Sequence, residues 1–543
     1  MRCLAAQIPC KDAAQTAHYR AFVNLQTAKP WPCLRRREPT HRAHEGSRRT
    51  IRAQSILQNI MKKLGSDTRD SSRPMEAATE PLQTLSFSDN APSWEELADI
   101  VRAQHAELGV DFWADPNEGP THPLALERTF GSSQPVRVKL YRDHAAWCPY
   151  CHKVWLQLEE KRIPYVVQKI NMRAYGDKPP EFLAKVPSGL LPVIELDGRV
   201  VTESAVIMAL LEREFPDHNP LLPPEGTPAR QRAEGLMRLE RRLFSDWLGW
   251  LCSGGGHARA RAQFEASLDL LAQELEREGG PYFLGPSLSL VDVTFAPMLE
   301  RMAASLAYYK GLALRGQGRW PAIDRWFAAM ESRPTYLATR SDYYTHAHDL
   351  PPQLGGCAQH PEGAALAAAI DGQDGTSWRL PLPPLGAACA PEPYSPGEEP
   401  PRDRLEAAAR LVGNHEAVVR FALRGPGRPG PRPVLAPLSD PSAQPALEHW
   451  RQADAALRHV AHALLAGVEA KQASQQALQT FASTPSTPSS QEALSGEAVV
   501  AAARYLRDRV GVPRDMRFPA ARQLRAHLNW LIDSITARGG SSQ

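Results

Sequence analysis

Cys148-Pro149-Tyr150-Cys151 places two thiols two residues apart, between a β-like run from Val136 to Tyr141 and a helix-like run from Val154 to Glu160. At a helix start, the unpaired main-chain N–H groups and the positive end of the dipole favour a thiolate over a thiol. Pro149 suits the first helical turn, where its missing donor costs nothing. Cys148 is therefore expected to be the nucleophile, with Cys151 able to attack a mixed disulfide formed on it. C-x-x-C is also a zinc-ligand spacing, but a structural zinc site needs a second ligand pair. Cys252, Cys357 and Cys389 stand alone, and His152 has no second C-x-x-C to complete. No metal is expected.

The elements that must hold this motif follow it along the chain. After the first strand and helix come a strand from Tyr165 to Ile170, a short helix from Pro180 to Lys185, and two apolar runs, Leu191–Leu196 and Arg199–Val201. Asp197-Gly198 between those runs is a two-residue hairpin signal. The order β-α-β-α-β-β-α over about eighty residues is an α+β, thioredoxin-like plan. An all-helical section is expected from Pro228 to Tyr344. Leu236, Leu239, Leu243, Trp247 and Trp250 fall on one helix face there, and Ser289 and Asp292 have capping-box spacing with a structural role. Upstream, Ser93 and Glu96 have the same spacing at the head of an amphipathic stretch, Trp94 to Phe112, expected to pack on the first folded domain.

At 543 residues the chain has room for several domains. Residues 1–73 carry 15 Lys/Arg against 5 Asp/Glu, while the whole chain has a net charge of only +3. This Arg-rich, acid-poor start reads as a transit peptide, against the alternative of a basic arm that stays on. The body after it is mildly acidic, which gives no reason to expect nucleic-acid binding. No apolar run is long enough to span a membrane. Eight scattered cysteines are too few for a disulfide framework and fit a reducing compartment.

A thioredoxin-like domain followed by a helical one, with Leu191-Pro192 before the hairpin and Glu203-Ser204 after it, resembles a glutathione transferase from about Val136 to Tyr344. The first cysteine of the motif makes it similar to the cysteine-type classes, which form a mixed disulfide with glutathione. Tyr505–Met516, Ala521–Trp530 and Pro352–Cys357 look like the added C-terminal region of the iota class of photosynthetic organisms. That resemblance implies plastid placement and glutathione as co-substrate. It also implies a site in which Lys178 meets the glycine carboxylate of glutathione and the Leu191 main chain pairs with the cysteinyl amide. Pro192 follows a cis bond in that family. Glu203 and Ser204 receive the γ-glutamyl ammonium and carboxylate.

The expected division is a transit segment at 1–75, an N-terminal extension at 76–134 and the glutathione-binding domain at 135–217. An all-α transferase domain at 218–345, a linker at 346–403 and a small all-α domain at 404–543 complete it. The Pro, Gly and Ala content of 350–402 argues for irregular structure. Lys153 is expected on an exposed helix face, or else adding positive potential near the thiolate. His415 reads as a satisfied core or interface histidine, and His459 with His462 as a pair on one helix face. The arginines from Arg504 to Arg525 read as a solvated face, with an anionic ligand or partner left open. The resulting activity is a plastid thiol transferase acting on a glutathionylated, small disulfide or oxidised substrate. The rival reading is a non-catalytic carrier or scaffold whose C-terminal domain docks an unknown partner.

Overall fold

The computed structural model describes residues 91–114, 122–172, 174–431, 436–467 and 496–539; the expected transit segment lies outside them. The apolar runs form one five-stranded mixed sheet: β1 Glu127–Arg128, β2 Val138–Asp143, β3 Tyr165–Ile170, β4 Val193–Leu196 and β5 Arg199–Thr202, in the order β1-β3-β2-β4-β5. β2 is central, parallel to β3 and antiparallel to β4, and five of its six residues are buried. A parallel neighbour requires a crossover, and the helix after Cys148 provides it. Asp197 and Gly198 turn β4 into β5 with φ of 50° and 80°, the left-handed pair that a tight hairpin uses. Arg137 holds the Asp197 carboxylate at 3.0 and 2.7 Å.

The helices, in chain order, are α1 Trp94–Leu108, α2 Pro149–Lys161, α3 Pro180–Lys185, α4 Ser204–Glu214, α5 Pro228–Leu251, α6 His257–Glu276, α7 Leu290–Lys310, α8 Pro321–Glu331, α9 Pro334–Thr339, α10 Tyr343–Leu354 and α11 Ala364–Ile370. Five more follow: α12 Pro400–Gly413, α13 His415–Ala422, α14 Trp450–Ala466, α15 Gly496–Arg507 and α16 Phe518–Gly539. The fold is thus a thioredoxin-like α+β unit, an all-helical unit, and a further helical region downstream. Among the described residues no helix is long and apolar enough to cross a membrane.

α7 is the axis of the helical unit, and nearly all its residues are buried. Its start is fixed by Asp292, whose carboxylate accepts from the Ser289 N–H and hydroxyl, the Phe283 N–H and the Trp326 indole. The capping-box spacing read at Ser289 therefore has the structural role expected of it. Trp247 and Trp250 are 2 % and 1 % exposed, so the aromatic face of α5 is core.

Tertiary packing corrects four expectations. First, α1 begins at the capping box of Ser93 and Glu96, but it packs on the C-terminal helices rather than on the first folded domain. The Trp94 indole donates to Asp454 at 2.7 Å, and Leu97 and Val101 share an apolar core with Leu405, Val460 and Leu528. Second, the segment expected as a linker at 346–403 holds helix: α10 runs through Pro351 and Pro352 to Leu354, and α11 is alanine-rich. Each proline forfeits one main-chain donor, but both lie within the last four residues of the helix, so composition alone misjudged the stretch. Third, Arg504 is exposed as expected, but the later C-terminal arginines are not a solvated face. Arg517 pairs with Glu406, Arg522 with Glu398, and Arg525 with Asp342, tying α16 and the turn before it to elements far away in sequence. Fourth, the two-residue strand β1 was not anticipated. Its Arg128 forms a fork onto Glu159 at 3.0 and 3.0 Å, inside a buried chain that continues through Tyr165 to Trp155.

Candidate functional site

Cys148 caps the N-terminus of α2, with Pro149 in the first turn. It is half-buried, whereas Cys151, one turn along, is 1 % exposed. Their environments drive the two thiols apart. The Cys151 thiol donates to the Cys148 sulfur, and the N–H groups of Cys151 and Tyr150 point at it too. Together these lower the Cys148 pKa against burial and the nearby Asp143 charge. Burial first, and then its bond and proximity to Cys148, push Cys151 well above the ordinary thiol value. Cys148 is the easier of the two thiols to ionise.

Asp143, the last residue of β2, is the member of this site that the sequence motif did not reveal. One carboxylate oxygen accepts from the Trp147 N–H at 2.7 Å, and the other has no hydrogen-bond partner although it is buried. The ligand atoms of Asp143, Cys148 and Cys151 all lie within 4.8 Å of one another. Three such donors are a metal-compatible set that the count along the sequence could not find, because the fold supplies the third one. A second set, His257, His360 and Glu362, lies at the start of α6 and the approach to α11. There the Trp250 indole already donates to His257 Nδ1 at 3.3 Å, and Arg261 holds Glu362 at 2.6 Å.

The residue before the nucleophile is clamped by the helical unit. Arg301 of α7 donates to the Trp147 carbonyl and lies over its ring at 5.0 Å, while the Trp147 indole donates to His346 Nδ1 at 3.0 Å. His346 in turn meets Glu300 at 3.2 Å. No local signal marks Arg301, Glu300 or His346, which reach the motif from more than 150 residues away. Lys153 is neither exposed nor aimed at the thiolate. It is 6 % exposed and bonds Glu240 of α5 at 2.9 Å, a pin between the two units.

The remaining predicted residues lie around this centre as follows. Lys178 donates to the Asn171 carbonyl at 2.7 Å, and its aliphatic stem runs over Gly189. Burial lowers its pKa, while Cys151, Cys148 and Asp143 work in the opposite direction, so the ammonium shares a field with the thiols. Leu191 stands two residues before β4, and the Leu191–Pro192 peptide is cis. Glu203 caps α4 with φ 69°, ψ 112°, a backbone position that L-residues rarely hold and that clusters at ligand clamps. Its exposed carboxylate makes no hydrogen bond or ion pair to another described residue. Ser204 opens the helix, where free N–H groups suit an anion. His415 bonds the Val412 carbonyl at 2.9 Å and stacks on Trp94. His459 is buried and His462 exposed, so that pair does not share one environment.

Comparison with known proteins adds lineage to this geometry. Residues 147–214 match the glutathione S-transferase N-terminal domain and residues 255–329 the glutathione S-transferase C-terminal domain. Glutathione S-transferase DHAR2 of Arabidopsis thaliana is 32 % identical over 194 residues, covering 36 % of this chain and 84 % of its own. Glutathione S-transferase DHAR3, chloroplastic, of the same plant is 28 % identical, covering 36 % and 69 %. A crystal structure of Chlamydomonas reinhardtii dehydroascorbate reductase aligns at 26 % identity over 37 % of this chain and 92 % of that one, with a TM-score of 0.32.

Proposed function

The chain belongs to the glutathione S-transferase family, whose members use glutathione as co-substrate, and from that premise we propose a cysteine-type member: a plastid, iota-class thiol transferase. The observation that carries this reading is the split between the more easily ionised thiol at a helix start and a second thiol, harder to ionise, behind it. The basic N-terminus supports the plastid, as does the chloroplastic relative, although another relative of similar identity is named cytosolic. The added C-terminal helices support the iota class.

Chemistry follows from the geometry. The Cys148 thiolate attacks the glutathione sulfur of a glutathionylated substrate; that S–S bond breaks, and the reduced substrate leaves as a thiolate that takes up a proton. Glutathione remains as a mixed disulfide on Cys148. A second glutathione thiolate attacks its sulfur, releasing glutathione disulfide and restoring the Cys148 thiolate. Alternatively, Cys151 attacks the Cys148 sulfur and expels glutathione. Dehydroascorbate reduction is a variant in which two glutathione molecules supply the two electrons. A panel of glutathionylated peptide, hydroxyethyl disulfide and dehydroascorbate tests the reading, and turnover of none of them would refute it.

The second branch requires Cys151 to lose its proton, and the Asp143 carboxylate, with an oxygen within 4.8 Å of both sulfurs, is the candidate acceptor. Asp143→Asn is expected to prolong the mixed disulfide on Cys148 by about a hundredfold in single turnover without free glutathione. A lifetime matching the unmodified protein would remove Asp143 from the mechanism.

Glutathione itself is assigned to Lys178, Leu191, Pro192, Glu203 and Ser204. The carboxylate of Glu203 suits the γ-glutamyl ammonium, and the Ser204 hydroxyl and helix N–H groups suit its carboxylate. Glu203→Ala and Lys178→Ala should each weaken glutathione binding by roughly tenfold, the loss of one charge-assisted bond. Calorimetric titration reads this directly; unchanged affinity in both variants sinks the assignment.

A further inference from the structure

α1, the residues after it, and α12 with the start of α13 line an open pocket of about 690 Å³ that none of the chemistry above uses. That is ample space for a small molecule. Trp94, Phe112, Trp113 and His415 form its apolar wall, and Arg410 and His122 contribute the polar groups. The Trp94 ring stacks on His415 with centroids 4.6 Å apart and planes at 19°. Both indole N–H groups are engaged elsewhere, Trp94 with Asp454 at 2.7 Å and Trp113 with the Ala409 carbonyl at 2.8 Å. The two indoles therefore offer the cavity only ring carbon. Gly413 is where Trp113 fits: a Cβ there would stand 2.8 Å from its indole nitrogen.

The polar groups are mismatched in a way that specifies a ligand. Arg410 donates to the Phe112 carbonyl at 2.9 Å and meets His122 Nε2, with no carboxylate among the described residues at ion-pair distance. Leu124 N–H faces His122 Nδ1 at 3.1 Å while the Arg410 guanidinium faces Nε2, and a neutral ring can accept at only one of its nitrogens. Burial first, and then the charge of Arg410, push the His122 pKa down to about 3, which keeps the ring neutral. Whichever nitrogen carries the proton, one donor at this ring is thus left without an acceptor. An unmatched donor of this kind is costly unless an oxygen reaches it.

We propose that this cavity binds a planar aromatic anion, its ring against Trp94, Phe112 and Trp113 and its carboxylate or similar oxyanion bridging Arg410 and His122. The site is built by elements other than those that carry Cys148. It assigns ligand binding to the helices that a thiol transferase does not need for its chemistry. Glu95 lines the same cavity and is exposed, which disfavours a second acidic group on the ligand.

The test is calorimetric titration of the full chain, with its glutathione site saturated by S-methylglutathione. The probes are 2-naphthoate and its neutral amide, 2-naphthamide. The acid should bind at least about tenfold more tightly than the amide, the worth of a bond to a charged donor. Arg410→Gln should erase that preference, and Ala98→Phe, which fills the cavity from α1, should abolish binding of both probes. Thermal unfolding of each variant checks that it is folded. Equal binding of acid and amide, or no binding of either, would overturn the proposal. So would acid binding that survives both Arg410→Gln and Ala98→Phe, since it would place the ligand elsewhere.

Discussion

Cys148→Ser is expected to lower thiol transfer by about a thousandfold or more, because the serine hydroxyl cannot form the mixed disulfide. The same variant should gain conjugation of glutathione to a chloro-aromatic. On the proposed mechanism Cys148 captures the glutathione sulfur, whereas conjugation needs that sulfur free as an anion; a hydroxyl at the helix start would stabilise the anion without capturing it. Tyr150 does not substitute as that donor: it lies past the helix start, 40 % exposed, and Lys153 lies over its ring. Cys151→Ser should leave a monothiol activity. Donation by the Cys151 thiol is the leading cause of the lowered Cys148 pKa, so removing that donor in Cys151→Ala should move the rising limb of the pH–rate profile upward. Steady-state rates across pH for these variants check this. Full activity in Cys148→Ser, or brisk conjugation by the unmodified protein with no gain in that variant, would show that the chemistry is misassigned.

The second large effect is structural. Arg525 of α16 bonds Asp342 at 2.6 Å and the Val510 carbonyl at 2.9 Å, with its guanidinium over Tyr344 and Trp378. The side chains of the pair are 1 % and 0 % exposed. Arg525→Met leaves a buried carboxylate unpaired and should destabilise the protein by about 3–5 kcal/mol. Adding Asp342→Asn should restore much of that loss, because the amide still accepts the Thr345 N–H at the start of α10 and carries no charge to desolvate. Burial pushes the Asp342 pKa up, but Arg525 and Thr345 more than offset it, and it settles below the ordinary carboxylate value. A depressed acid stabilises the fold above its ordinary value and loses that contribution as pH falls through the folded one. The stability gap between the unmodified protein and the double variant should therefore shift against the unmodified protein only in acid, below the ordinary carboxylate range. Denaturant unfolding of the three proteins at neutral and acid pH decides it, and an Arg525→Met variant as stable as the unmodified protein would refute the role given to the pair.

Much of the catalytic half was legible in the residues because its signals are local. A proline in the first turn, two cysteines at fixed spacing, an Asp-Gly turn and a capping serine each act over a few residues, and each lies where its spacing placed it. The β-α-β-α-β-β-α order needs only alternating periodicity, which the chain writes out plainly. Asp143 was missed because its meaning is spatial: nothing marks an aspartate at a strand end until the sheet sets it beside two sulfurs. Arg301, His346 and Glu300 were missed for the same reason, since they reach Trp147 from another domain's helices.

The far half of the chain misled wherever charge or composition stood in for position. Arginines at Arg517, Arg522 and Arg525 read as solvated because arginine usually is, yet each finds a carboxylate that folding delivers from 111 to 183 residues away. Pro351 and Pro352 read as a break, but they fall in the last turns of a helix that tolerates them. α1 carries a clear amphipathic face, and a face does not name its partner. Local patterning determined that a helix forms there; only the shared core with α12, α14 and α16 decided what it covers, because apolar burial is indifferent to sequence distance.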